Sequence, residues 1–157
     1  MLEIERKWLL LEEPNLSLFK VHQVKAIEQT YLVAEEGSHR VRRVESGGIV
    51  SYFETRKFAT ENPLVRQEEE GEITAERYHE LLASADPTRH SIRKLRYLFT
   101  FAGQGFELDH ILSPVNLWLL ELELAFPDQA VKVPRLLGEL REVSTEPGYS
   151  NSALARR

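Results

Sequence analysis

The chain has 157 residues, 42% hydrophobic and 29% charged, with a formal net charge of −5. That is the size of one ordinary domain with enough apolar content for a core, and the acidic balance excludes a global basic field for nucleic acid. The lack of cysteine excludes disulfide and thiolate chemistry, and no apolar run approaches the roughly 20 residues of a membrane helix, so a soluble cytoplasmic protein with a single domain over 1–157 and no secretory leader is expected.

Residues 2–10 predict the first strand. Alternate side chains share a face in a strand, so Glu3, Glu5 and Lys7 line one side and Leu2, Ile4, Arg6 and Trp8 the other. The pattern over 11–25 fixes no element. Strands are predicted over 27–34, with Gln29 and Tyr31 on one face, and over 39–45, which carries Arg40 and Arg42. Ser46-Gly47-Gly48 marks a hairpin turn into a strand over 49–58, with Phe53, Thr55 and Lys57. Residues 64–73 hold Arg66, Glu68 and Glu70. Thr74 is placed to cap a helix over 75–85, where Tyr78, Leu81 and Leu82 share a face. Further strands cover 93–101 (Lys94, Arg96), 106–112 (Glu107, Asp109) and 117–126 (Glu121, Glu123). Pro134 suits the first turn of a second helix over 134–142, with Leu136, Leu137 and Leu140 on one side. The tail from Ser144 reads as loop and a short terminal helix. Eight strands with hairpin-length gaps and flanking helices predict a mainly β, α+β fold: an eight-stranded antiparallel barrel, closed because closure removes exposed edges.

Charges on alternating strand positions usually form a solvated outer face. Here they predict a charged lumen instead. The signs are sorted by strand: Arg40/Arg42 and Lys94/Arg96 are basic, whereas Glu3/Glu5, Glu107/Asp109 and Glu121/Glu123 are acidic. A solvated surface gains nothing from like charges at i, i+2, while a site for a polyanion and its metal needs both signs in separate patches. The opposite parity is strongly apolar, as in Leu120-x-Leu122-x-Leu124. Glu3, Glu5, Glu121 and Glu123 are hard oxygen ligands suited to Mg²⁺ or Mn²⁺. Lys7, Arg40, Arg42, Lys57, Arg66, Lys94 and Arg96 match phosphate oxygens. A remaining carboxylate would orient or deprotonate an attacking water. Trp8 and Trp118 are expected in outer-wall packing, and the five histidines, which lack metal-ligand spacing, are expected to be structural or exposed.

Taken together, these residues resemble the CYTH superfamily, the triphosphate tunnel metalloenzymes, over nearly the whole chain. The N-terminal Glu3-x-Glu5-x-Lys7 is followed in the family's order by Gln29-x-Tyr31-Leu32, Arg40-x-Arg42, Thr55-x-Lys57, Arg66-x-Glu68-x-Glu70, Lys94-x-Arg96, Glu107-x-Asp109, Glu121-x-Glu123 and Tyr149-x-Asn151. The resemblance implies a tunnel that binds triphosphate groups and needs divalent metal. It assigns metal binding to Glu3, Glu5, Glu121 and Glu123, and phosphate binding to the basic set, with Arg66 the weaker member. Glu5, Glu68, Glu70 and Asp109 would act in catalysis, supporting metal, water or the basic residues. Some relatives carry a lysine where this chain has Ser150, which puts the tail's contribution in question. Metal-dependent hydrolysis of a small triphosphate, inorganic tripolyphosphate first, is the leading expectation. The alternatives are a class IV-type adenylate cyclase, a thiamine or nucleoside triphosphatase, and a non-catalytic polyphosphate- or nucleotide-binding module. No membrane or nucleic-acid partner is expected, and a homodimer is left open.

Overall fold

The alternating segments form the predicted strands because period-two patterning suits only extended backbone with two unlike faces. The computed structural model describes residues 1–157. Its strands are β1 (Leu2–Leu10), β2 (Gln23–Leu32), β3 (Ser38–Ser46), β4 (Ile49–Ala59), β5 (Val65–Ile73), β6 (Ile92–Phe101), β7 (Gln104–Ser113), β8 (Leu117–Glu123) and β9 (Leu140–Glu142). Two short helices, α1 (Ala75–Leu81) and α2 (Asn151–Leu154), complete it. Strands β2 to β5 form one antiparallel meander and β6 to β8 another. They meet at β2–β6, and β1 pairs with both β8 and β5 to close an eight-stranded barrel. Gly47 and Gly48, both at positive φ, make the predicted hairpin turn between β3 and β4.

The predicted helix over 134–142 does not form. Arg135–Leu137 make one 3-10 turn, Gly138 leaves it at φ +76°, and Leu140–Glu142 become β9. The cause is a free edge: β5 covers β1 only at Leu2–Ile4, so Trp8–Leu10 have unpaired backbone groups that β9 satisfies. Arg6, bound to Glu142 at 2.6 and 2.8 Å, fixes that pairing from outside. The first helix forms as read, with Thr74 Oγ1 accepting from Arg77 N at 3.1 Å, and continues past Leu81 as a 3-10 turn.

The apolar parity faces outward and is covered. Trp8, Phe99, Phe106, Leu108, Leu120 and Leu122 pack beneath segments that supply Phe19, Val133 and Leu137, and Trp118 packs against the same cluster. Tyr78 of α1 is buried on Leu32 and Val41. Lumen-side Tyr31, Ile92, Ile111 and Leu119 pack on Val143, Leu154 and Ala155, so the tail seals the interior there. Each such aliphatic side chain contributes about 1.5–3 kcal/mol by leaving water.

Candidate active site

Strand register assembles the charged interior. Glu5 lies opposite Glu123 and Lys7 opposite Glu121, while Glu3 faces Arg66 on β5. Arg40 stands between Tyr31 and Thr55, and Lys57 between Ser38 and Glu68. The strands enclose a cavity of about 750 Å³ lined by Glu3, Glu5, Lys7, Arg40, Arg42, Lys57, Arg66, Glu68, Glu70, Arg96, Glu107, Glu121 and Glu123.

Two expected site residues do not line it. Lys94 and Asp109 share the lumen parity of Arg96 and Glu107 but are buried in the barrel interior, each side chain 1% exposed, with Lys94 Nζ 3.0 Å from Asp109 Oδ2. Asp109 also accepts from Arg96 Nε at 2.8 Å and Nη2 at 2.9 Å. Burial alone would raise the Asp109 carboxyl, but Arg96 and Lys94 hold it well below the usual carboxylate range. Burial brings Lys94 down to about 8 against the pull of Asp109. Asp109 is thus a buried counter-ion that fixes Arg96 toward the cavity.

Most of the cavity charges are paired. Lys57 Nζ lies 2.7 Å from Glu3 Oε1 and 3.5 Å from Glu68 Oε2. Arg42 pairs with Glu70, which also accepts from Thr55 Oγ1 at 3.0 Å. Arg96 pairs with Glu107 and lies 3.5 Å from Glu121. Lys7 Nζ is 3.2 Å from Glu121 Oε1, an oxygen that still lacks a hydrogen-bond donor.

Four charges stand without an ion-pair partner. Arg40 is buried, and its Nε has no acceptor. Arg66 donates only to the carbonyls of Pro63 and Val65. Glu5 and Glu123, opposite one another, make no ion pair, although Lys7 and Lys57 act on Glu5 from further off. Burial and the neighbouring Glu121 push Glu5 up to about 8. Burial and Glu3 bring Glu68 to about 7, whereas Lys57 lowers Glu3 to about 2 despite its burial. Arg40 keeps its charge: burial opposes it, but Tyr31, Glu70 and Glu3 raise its pKa. Burial and Arg40 lower Arg42 to about 10.

The C-terminal tail forms one side of the mouth, and its contacts are not legible in local sequence. Ser144 Oγ accepts from Lys7 N at 2.9 Å, and Lys7 Nζ donates to the Tyr149 carbonyl at 3.2 Å. Ser150 lines the cavity but uses its hydroxyl to cap α2, accepting from Ala153 N at 3.1 Å. Asn151 presents a buried Oδ1 without a partner. The loop Ala59–Leu64 forms another part of the rim. Tyr149-x-Asn151 was visible as a sequence mark, whereas the contacts of Ser144 with β1 span 137 residues and left no local signal.

The carboxylates suit a hard divalent cation in kind. No three carboxylate or imidazole groups converge to hold a metal in this arrangement. Yet Glu5 and Glu123 make no ion pair, burial and Glu121 push Glu5 up despite Lys7 and Lys57, and Glu121 Oε1 accepts no hydrogen bond although Lys7 Nζ lies 3.2 Å away. A divalent ion on this wall would relieve all three, with Glu3 beside it. The residues therefore suit a hard divalent cation in kind.

A family model of the CYTH domain matches residues 1–157. An inorganic triphosphatase of Acetivibrio thermocellus is 31% identical over 156 residues, covering 98% of this chain and 93% of that protein. The solved structure of the inorganic triphosphatase NE1496 is 32% identical, with a TM-score of 0.61, covering 99% of this chain and 95% of that one. The PH1819 protein of Pyrococcus horikoshii OT3, 19% identical over 80% of each chain with a TM-score of 0.62, shares the fold.

Proposed function

This chain belongs to the CYTH domain family, and from that premise we propose that it is a divalent-metal-dependent triphosphatase whose preferred substrate is inorganic tripolyphosphate. The carrying observation is the cavity's unspent charge: Arg40 and Arg66 are free to take phosphate oxygens, while Glu5 and Glu123 on another wall make no ion pair. The similarity to proteins named inorganic triphosphatases supports the substrate class.

Arg40 and Arg66 bind the incoming polyanion directly, and Arg42, Lys57, Arg96 and Lys7 complete the basic lining. Their guanidinium and ammonium groups neutralise charge on the terminal phosphoryl and on the departing pyrophosphate. Glu5 and Glu123, with Glu121 and Glu3, would hold Mg²⁺ or Mn²⁺, which would supply polarisation of phosphoryl oxygens when bound. Glu68 serves as general base, because a carboxylate near pKa 7 both exists as base and accepts a proton at neutral pH. Water forms the new P–O bond, the anhydride P–O bond breaks, Glu68 takes the water proton, and orthophosphate and pyrophosphate leave. Glu70 and Asp109 act behind this step by orienting Arg42 and Arg96.

Phosphate release from tripolyphosphate, ATP and thiamine triphosphate, each with Mg²⁺, Mn²⁺ or EDTA, tests the reading. Metal-dependent release, fastest with tripolyphosphate, is expected. Cyclic AMP and pyrophosphate from ATP would move the protein to cyclase chemistry. Tight tripolyphosphate binding with no turnover under any metal would make it a binding module.

A further inference from the structure

Beyond the charged cavity, the barrel holds a second chamber of about 540 Å³. Arg42, Glu70, Arg96 and Glu107 border both spaces and stand between them as two ion pairs, Arg42–Glu70 and Arg96–Glu107. Both arginines are anchored. The Arg42 guanidinium lies over the Phe53 ring, 5.7 Å from its centroid, and Arg96 is held by two hydrogen bonds to Asp109.

The two chambers differ in how many basic side chains they present, although the first also carries nine carboxylates. On the substrate side, six basic residues line the wall: Lys7, Arg40, Arg42, Lys57, Arg66 and Arg96. Past the waist the only further cation is Lys25, among apolar Ile27, Val44, Phe53 and Leu98. A phosphate group crossing the waist would pass two carboxylates, leave Lys7, Arg40, Lys57 and Arg66 behind, and find one further ammonium, Lys25, in return, a net loss of charge-assisted hydrogen bonds.

Resting on the triphosphatase reading, we propose that the Arg42–Glu70 and Arg96–Glu107 waist is an end-stop for the polyphosphate chain. The substrate enters from the charged side and seats against the two arginines without threading into the second chamber. Binding therefore recognises one chain end with about three phosphates, and additional phosphates trail into solvent through the entry mouth. Glu107 is the specificity-determining residue. It supplies negative charge at the waist, yet Arg96 keeps its position without it because Asp109 holds the guanidinium independently.

Direct binding of tri-, tetra- and long-chain polyphosphate, with KM per chain end where turnover occurs, decides this. In the wild type, affinity per chain end should vary within about twofold with length, and Lys25→Ala should leave every length unchanged. Glu107→Ala should tighten binding of long chains about tenfold more than it tightens tripolyphosphate, and that difference between lengths should vanish in Glu107→Ala/Lys25→Ala. Wild-type affinity that climbs with length and falls in Lys25→Ala would show threading and overturn the end-stop. Lys25→Ala alters a residue outside the core, so the test stands even if Glu107→Ala folds poorly. Binding without hydrolysis would sink the triphosphatase reading while still reporting length dependence.

Discussion

Replacing Asp109 by asparagine separates a structural from a chemical role for that residue. The carboxylate is 1% exposed and faces two cations, Lys94 at 3.0 Å and Arg96 at 2.8 and 2.9 Å. Breaking a buried ion pair by removing one partner costs roughly 3–5 kcal/mol, because the other charge is left uncompensated. Two features place the cost at the lower end. Lys94, already down to about 8, can shed its proton, and Arg96 retains Glu107 and Glu121. The expected loss is about 3 kcal/mol, or about 6–12 °C in melting temperature for a domain of this size. Urea and thermal denaturation at pH 7 measure it. Lys94→Met/Asp109→Asn removes both buried charges and should regain most of the stability, while activity stays low because Arg96 has lost its bidentate anchor. A single variant within 1 kcal/mol of wild type, or a double variant less stable than the single, would refute the buried counter-ion assignment.

The remaining predictions concern the free charges and the outer wall. Glu5, raised to about 8 in the fold, binds its proton more tightly folded than unfolded. It therefore contributes stability that is full below about 4.5 and fades as pH rises through 8; Glu68, raised to about 7, acts in the same direction. In EDTA the melting temperature should decline across that window, with a shallower slope in Glu5→Gln, and excess Mg²⁺ should restore the wild type at pH 8 but not the variant. An unchanged slope in Glu5→Gln would remove Glu5 as the source. Glu3, lowered to about 2, has the opposite sign, and its contribution should be lost as pH falls from about 4.5 toward 2. Arg40→Ala should raise KM for tripolyphosphate at least about tenfold and lower kcat less, because the buried guanidinium has no carboxylate to release; steady-state kinetics reads the split. Leu122→Asp, at a position 2% exposed on the outer parity, should cost more than about 4 kcal/mol and leave little folded protein by circular dichroism.

The sequence by itself determined the strands and their faces, because alternation is built into the extended backbone. Glu3, Glu5 and Lys7 had to share a side, and Leu120 and Leu122 had to share the other. It also held the Thr74 cap and the Gly47-Gly48 turn, whose causes lie within a few residues. Periodicity failed at 134–142, where three leucines suit a helix but the open edge of β1, more than a hundred residues away, took the chain as β9. Only the tertiary structure decided which charges remain available. Arg40 and Lys94 look alike as basic lumen positions, yet closure left Arg40 on the cavity and buried Lys94 in the interior against Asp109. The tail's carbonyl on Lys7 and the waist between the chambers are likewise products of closure. Parity is a property of each strand alone, whereas pairing, burial and depth along the tunnel depend on the register and stagger of all eight strands together.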